Sequence, residues 1–146
     1  SWKDLAWFKS VWGGPVAVKG ILSGEDARIA VDHGADAIIV SNHGGRQLDG
    51  AISAIRALPG VVDAVQGRAE VILDGGVRRG ADVVKALALG ARACMIGRAW
   101  LYGLACDGED GVARSLEILR NEVDLCMALL GRTTIPELDR SILVEP

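Results

Sequence analysis

Aromatic residues are scarce in this chain: one tyrosine, one phenylalanine and four tryptophans in 146 residues. Histidine occurs twice and cysteine three times. Each scarcity excludes something. Cys94, Cys106 and Cys126 are odd in number and widely spaced, with no CxxC pair. Neither a disulfide framework nor a zinc site is expected, and the three read as free buried thiols of a reducing compartment. No metal is expected. No apolar run reaches the ~18 residues of a membrane span and no secretory leader opens the chain, so a cytoplasmic protein is expected. Neither sign of charge dominates. A net charge of −3 gives no reason to expect nucleic acid or anionic lipid as a partner.

Half of the residues are apolar and 24% are charged. That balance suits one globular domain with a real core. The chain starts without methionine and inside a helical spacing of apolar residues (Trp2, Leu5, Ala6, Phe8, Val11). It is therefore expected to be a piece of something longer.

Strands and helices alternate. Helix 2–11 stops at Gly13-Gly14-Pro15, and a short strand follows over 15–19. Ser23-Gly-Glu-Asp26 is a capping box whose helix runs to His33, with Gly34 beyond it. The run 37–41 is a second strand, 51–58 a helix, and Pro59-Gly60 a break before a second short helix over 61–65. Strands at 71–73 and 93–96 bracket a helix over 81–89. An amphipathic helix covers 111–130, and the tail 133–146 reads as a helical turn followed by an extended arm. The strands are short and apolar without two-fold alternation, which predicts a parallel sheet buried on both faces.

Four βα units fit an open sheet or half of an eight-stranded barrel. The polar residues favour the barrel. Lys19, the loop 41–46, the loop 74–78 and Gly97-Arg98 all follow strands. A barrel gathers every strand C-terminus at one mouth, and its last two loops habitually bind phosphate. In those loops Asp74-Gly-Gly-Val-Arg-Arg79 and Gly97-Arg98 offer backbone N–H groups and guanidinium forks.

Ser41-Asn-His-Gly-Gly-Arg-Gln47 narrows function most. His43 is placed to move a proton, and Arg46 to clamp a carboxylate or to pair with a surface acid. His33, beside Gly34, reads as a helix-end cap, and Asp49 as a turn residue with Gly50. Lys19 ends a buried strand and needs a partner: a bound anion, an electron-rich ring or an acid across the mouth. Asp74 is suited to sugar-alcohol hydroxyls or to shaping a turn and a helix start.

Taken together, the motifs resemble the FMN-dependent 2-hydroxy-acid oxidase and dehydrogenase family. The likeness runs through Ser1-Trp-Lys-Asp-Leu-Ala-Trp7, Val18-Lys-Gly-Ile21, Glu25-Asp-Ala-Arg28 and Ile39 to Asp49. It continues through Leu73 to Gly80, Val84 to Gly90 and Ile96-Gly-Arg98. The Ser-Asn-His-Gly-Gly-Arg-Gln string is specific to that family. The other motifs are shared more widely among FMN barrels.

The resemblance implies an α/β fold, strands five to eight of a (β/α)8 barrel, with FMN as cofactor. It implies that His43 is the base, that Arg46 binds the substrate carboxylate and that Lys19 lies near the flavin's N1–C2 edge. Ser41 would hydrogen-bond the flavin. Asp74, Gly75, Gly76, Val77 and Arg78, with Gly97 and Arg98, would hold the ribityl phosphate. A small 2-hydroxy acid is the implied substrate, with L-lactate suggested by the room at Gly44-Gly45; the electron acceptor is oxygen, quinone or a cytochrome. Relatives are commonly tetramers, and some dock peripherally on the inner membrane.

The implied partner half would carry substrate-touching tyrosines and an aspartate that orients the histidine. Tyr102 matches no such tyrosine. An isolated half-barrel is expected to be marginal unless it pairs. Two other readings stay open: another FMN or phosphate-binding barrel, such as an isomerase or nucleotide dehydrogenase, and an inactive flavin-binding fragment.

Overall fold

The computed structural model describes residues 1–144. Helix α1 (Asp4–Trp12) leads into β1 (Ala17–Ile21), α2 (Gly24–Asp32) and β2 (Ala37–Ser41). Helix α3 (Ala54–Val65), β3 (Glu70–Asp74), α4 (Gly80–Ala88), β4 (Ala93–Met95) and α5 (Arg98–Leu129) follow. The four strands form one parallel sheet in chain order, β1-β2-β3-β4. Four consecutive βα units in that order are the C-terminal half of a (β/α)8 barrel, as expected.

Local signals set most boundaries. Ser23 caps α2 by accepting from the Asp26 N–H at 3.1 Å. Gly13 ends α1 with a left-handed φ of 70°. His33 closes α2 with its ring Nδ1 2.8 Å from the Ile29 carbonyl, the helix-end role expected of it.

The sheet does not have two buried faces. Ile38, Val40, Val71 and Leu73 point toward α2, α3 and α4 and are buried against Ala27, Ala30, Leu58, Val61, Val65 and Ala86. The other face stays open: Lys19, Ile39, Ile72, Ala93 and Met95 are half-buried or exposed. A barrel interior is filled by side chains from all of its strands, and four of eight leave it half-filled.

Three helical expectations are corrected. Pro59-Gly60 does not break α3, which is continuous over Ala54–Val65. Proline removes one bond, to the Ile55 carbonyl, but Ala54, Ala57, Leu58, Val61 and Val65 form one buried stripe across it. Helix α5 begins thirteen residues earlier than expected (111 − 98), directly after β4, and is bent at Asp107 and Gly108. Its arms, 98–106 and 109–129, cross where Gly103 meets the Gly111 carbonyl with no room for a side chain. The tail does not extend away. Short 3₁₀ turns at Ile135–Glu137 and Arg140–Ile142 fold it back, burying Leu138 against Val84 and Ala88. Residues 145–146 lie outside the described range.

All three cysteines are free. Cys106, beside the bend in α5, is exposed rather than buried.

Candidate active site

The loop after β2 is wound the wrong way for ordinary residues. His43, Gly44 and Gly45 have φ of 55°, 70° and 75°. For His43 that left-handed state costs about 1–2 kcal/mol, which neighbouring bonds must offset. The His43 N–H donates to Ser41 Oγ at 3.1 Å and the Gly44 N–H to Asn42 Oδ1 at 3.1 Å. The Gly45 N–H donates to the Asn42 carbonyl at 2.9 Å, and Asn42 Nδ2 holds the Ile52 carbonyl at 3.2 Å. Asn42 thus shapes the turn that presents His43. It was not singled out from the sequence, although an Asx residue two before a glycine is a turn signal.

Sheet register explains what lies beneath. Ser41 pairs with Asp74 across β2 and β3, and Lys19 with Ile39 one layer lower. Lys19 therefore reaches up. Its Nζ lies 2.7 Å from Asp74 Oδ2 and donates to Ser41 Oγ at 3.0 Å, while Ser41 Oγ donates to Asp74 Oδ2 at 2.6 Å. Burial pushes the Asp74 carboxyl up. The hydrogen bonds from Lys19 and Ser41, with the charges of Lys19 and His43, outweigh burial and hold it below the usual carboxylate range. Of the partners open to Lys19, the structure supplies the acid across the mouth.

Gly20 follows Lys19 at a bulge in β1, with φ of 99°. A side chain there would begin 3.3 Å from His43 Cε1. The glycine is a floor for the imidazole.

After β3, Gly75 and Gly76 take φ of 99° and 81°. Val77 is buried and anchors the loop in the core, so its backbone alone is left for the mouth. Asp82 Oδ2 accepts from the Arg78 and Arg79 N–H groups, each at 3.0 Å, and fixes the entry to α4. Asp74 takes no part in that cap. After β4, Gly97 leads into the first arm of α5, so Arg98 stands at a helix N-terminus.

These elements enclose a hollow of about 880 Å³. Lys19, His43, Arg46, Asp74, Gly75, Gly76, Val77, Arg78, Gly97 and Arg98 all line it. Ser41 does not. It is 1% exposed and its hydroxyl is committed to Lys19, His43 and Asp74. Tyr102, 70% exposed, stands on the same wall one helical turn past Arg98. Only the unforeseen first arm of α5 puts it there.

Arg46, Arg78 and Arg98 make no ion pair among the described residues. The three guanidiniums line the same hollow as the double-glycine turn and the helix N-terminus, an arrangement with the donors an anion needs. No cluster of metal-ligating side chains occurs among the described residues.

A half-barrel with a glycine–arginine corner and a histidine–arginine loop at one mouth is the arrangement expected of the flavin barrels. The model of the FMN-dependent dehydrogenase family matches residues 1–145, and the chain belongs to that family. Glycolate oxidase 3 of Arabidopsis thaliana is 55% identical over 141 residues, 97% of this chain and 38% of that protein. Pre-mycofactocin synthase of Mycobacterium tuberculosis is 51% identical over 146 residues, all of this chain and 37% of that protein. The structure of (S)-mandelate dehydrogenase, a monotopic membrane protein, superposes with a TM-score of 0.96 at 45% identity. The match covers all of this chain and 39% of that one. The chain thus spans under two-fifths of the length of these relatives. FMN is the family's cofactor, and the unpaired cations and bare glycine loop fit its phosphate. No described helix is long and apolar enough to cross a membrane.

Proposed function

We propose that this chain is the C-terminal part, a single-domain portion, of an enzyme that oxidises an L-2-hydroxy acid to the 2-oxo acid. The observation that carries the proposal is one hollow lined by His43, Arg46 and a corner of Gly75, Gly76, Arg78 and Arg98. Arg46 grips the substrate carboxylate through its planar fork. His43 takes a proton from the substrate. The strained turn that holds it is already paid for by Ser41 and Asn42, so its orientation costs nothing at the moment of reaction.

Asp74 through Arg78, with Gly97 and Arg98, hold the FMN ribityl and phosphate groups. Lys19 faces the flavin ring, and Ser41 acts on it through Lys19. When bound, FMN supplies the two-electron acceptor. Another half-barrel covers the open face of the sheet, and the assembly is a cytoplasmic homo-oligomer or one attached peripherally to the inner membrane. An electron acceptor reoxidises the enzyme.

L-Lactate heads the substrate panel, although the room at Gly44 is not free: a side chain there would begin 3.2 Å from Arg98 Nη2. Gly45 is open. The test is anaerobic bleaching of the flavin in the protein that carries this chain, with L-lactate, glycolate and mandelate in turn. Bleaching is expected with one of them, and Arg46→Lys should raise KM about tenfold or more while the flavin stays bound. Flavin retention with no bleaching by any hydroxy acid would favour a different substrate on the same half-barrel. The match to pre-mycofactocin synthase, over all of this chain and 37% of that protein, supports that second reading.

A further inference from the structure

Two arginines stand side by side after the double-glycine turn, and they go different ways. Arg78 lines the mouth and makes no ion pair among the described residues. Arg79 is not among the lining residues; its Nη2 lies 2.8 Å from Oε1 of Glu122, on the second arm of α5. The other Glu122 oxygen, Oε2, accepts the Gly80 N–H at 2.7 Å. One carboxylate thus holds both residues that follow Arg78. Asp82 takes the Arg78 and Arg79 N–H groups. The N–H groups of residues 78–80 are therefore all spent on acids. This stretch offers an anion the Arg78 side chain and not its backbone.

Every partner in this clamp belongs to this chain. Val84 and Ala88 of α4 share a small core with Val123, Cys126 and Met127 of α5, so the two helices meet without help from another half-barrel. The Gly80 N–H, opposed by burial and aided by Arg79, holds the Glu122 carboxyl below the usual range, and it is charged at neutral pH.

We propose that Glu122 is a positioning residue for the phosphate corner: by holding Gly80 and drawing Arg79 away from the mouth, it leaves Arg78 as the arginine of the pair that faces the cofactor's phosphate. This rests on the phosphate-corner reading above. The sign of the effect is diagnostic. By charge alone, an acid one loop from an anion site weakens anion binding, and its removal should tighten it. A positioning acid does the reverse. Without it Arg79 and the start of α4 lose an anchor, the anion must order Arg78 itself, and binding weakens.

The whole protein that carries this chain, stripped of flavin, is titrated with FMN and with riboflavin, which lacks the phosphate, while flavin fluorescence is followed. The ratio of the two affinities reads the phosphate corner and cancels effects on the rest of the site. Glu122→Ala should lower that ratio about tenfold, and Glu122→Gln, which keeps an oxygen for Gly80 but no charge for Arg79, about threefold. Arg78→Met should lower it as well, and adding Glu122→Ala to Arg78→Met should lower it no further. An unchanged or raised ratio in Glu122→Ala overturns the proposal, as does a loss that adds in full to that of Arg78→Met. If Glu122→Ala does not fold, an unchanged or raised ratio in Glu122→Gln overturns it. If the parent does not prefer FMN to riboflavin, the phosphate corner itself falls, and this inference with it.

Discussion

The two faces of the sheet are built by different rules. Toward the helices, β2 and β3 present Ile38, Val40, Val71 and Leu73 to partners this chain supplies, and the result is dry and closed. Toward the barrel axis the same strands present Ile39, Ile72, Ser41 and Asp74, and there Lys19, Ser41 and Asp74 bond one another. Stability is thus a property of contacts between neighbours in sequence. The chemistry sits where contacts from elsewhere in the barrel are still needed, which is why it is polar and open.

The largest expected effect lies on the closed face. Leu58 is fully buried under β2 and β3. Leu58→Ala should cost about 2–5 kcal/mol, read as a fall in the urea midpoint with little change in slope. A cost under about 1 kcal/mol would mean that the closed face is not the seat of stability.

The mouth should respond less, and with a pH signature. Asp74→Asn removes the acceptor shared by Lys19 and Ser41. With Asp74 16% and Lys19 35% exposed, a loss of about 1–2 kcal/mol near neutrality is expected. The sign follows from its lowered pKa. The contribution is complete above the unfolded aspartate value of about 3.9 and is lost as pH falls through the lower folded value. Thermal melts of parent and variant should begin to approach each other below about pH 4 and converge only once the pH is below the lowered folded value. A gap that persists there would show that Asp74 acts by packing and not by charge.

The smallest effect is a rate difference between thiols. Burial, and then the charge of Asp82, push the Cys94 thiol up to about 11, whereas Cys106 stands exposed at the bend of α5. A thiol reagent at neutral pH should label Cys106 much faster than Cys94. Equal rates would mean that β4, the last strand of the sheet, opens freely.

Much of this was legible in the residues. Strand β2 falls where its apolar run predicts, Ser23 caps α2, and ten of the eleven residues picked for the site line one hollow. The misses share a cause. Pro59 sits inside α3 because the buried stripe outweighs one lost hydrogen bond. The first arm of α5 was not foreseen because its packing rests on Gly103 against Gly111, a contact that forms only when the two arms cross. The Ser41 hydroxyl is bonded to Lys19, Asp74 and the His43 N–H, a pairing set by the register of β2 with β3.

The sequence by itself determined the alternation of βα units, the family likeness and the kit of imidazole, guanidinium and glycine loops, because these depend on local period and residue chemistry. Only the tertiary structure decided that Lys19 is paired with Asp74, that bare Gly20 lies beside His43 and that bare Gly44 lies beside Arg98. Those neighbours belong to different βα units, and the distances between them are set by sheet register and barrel curvature.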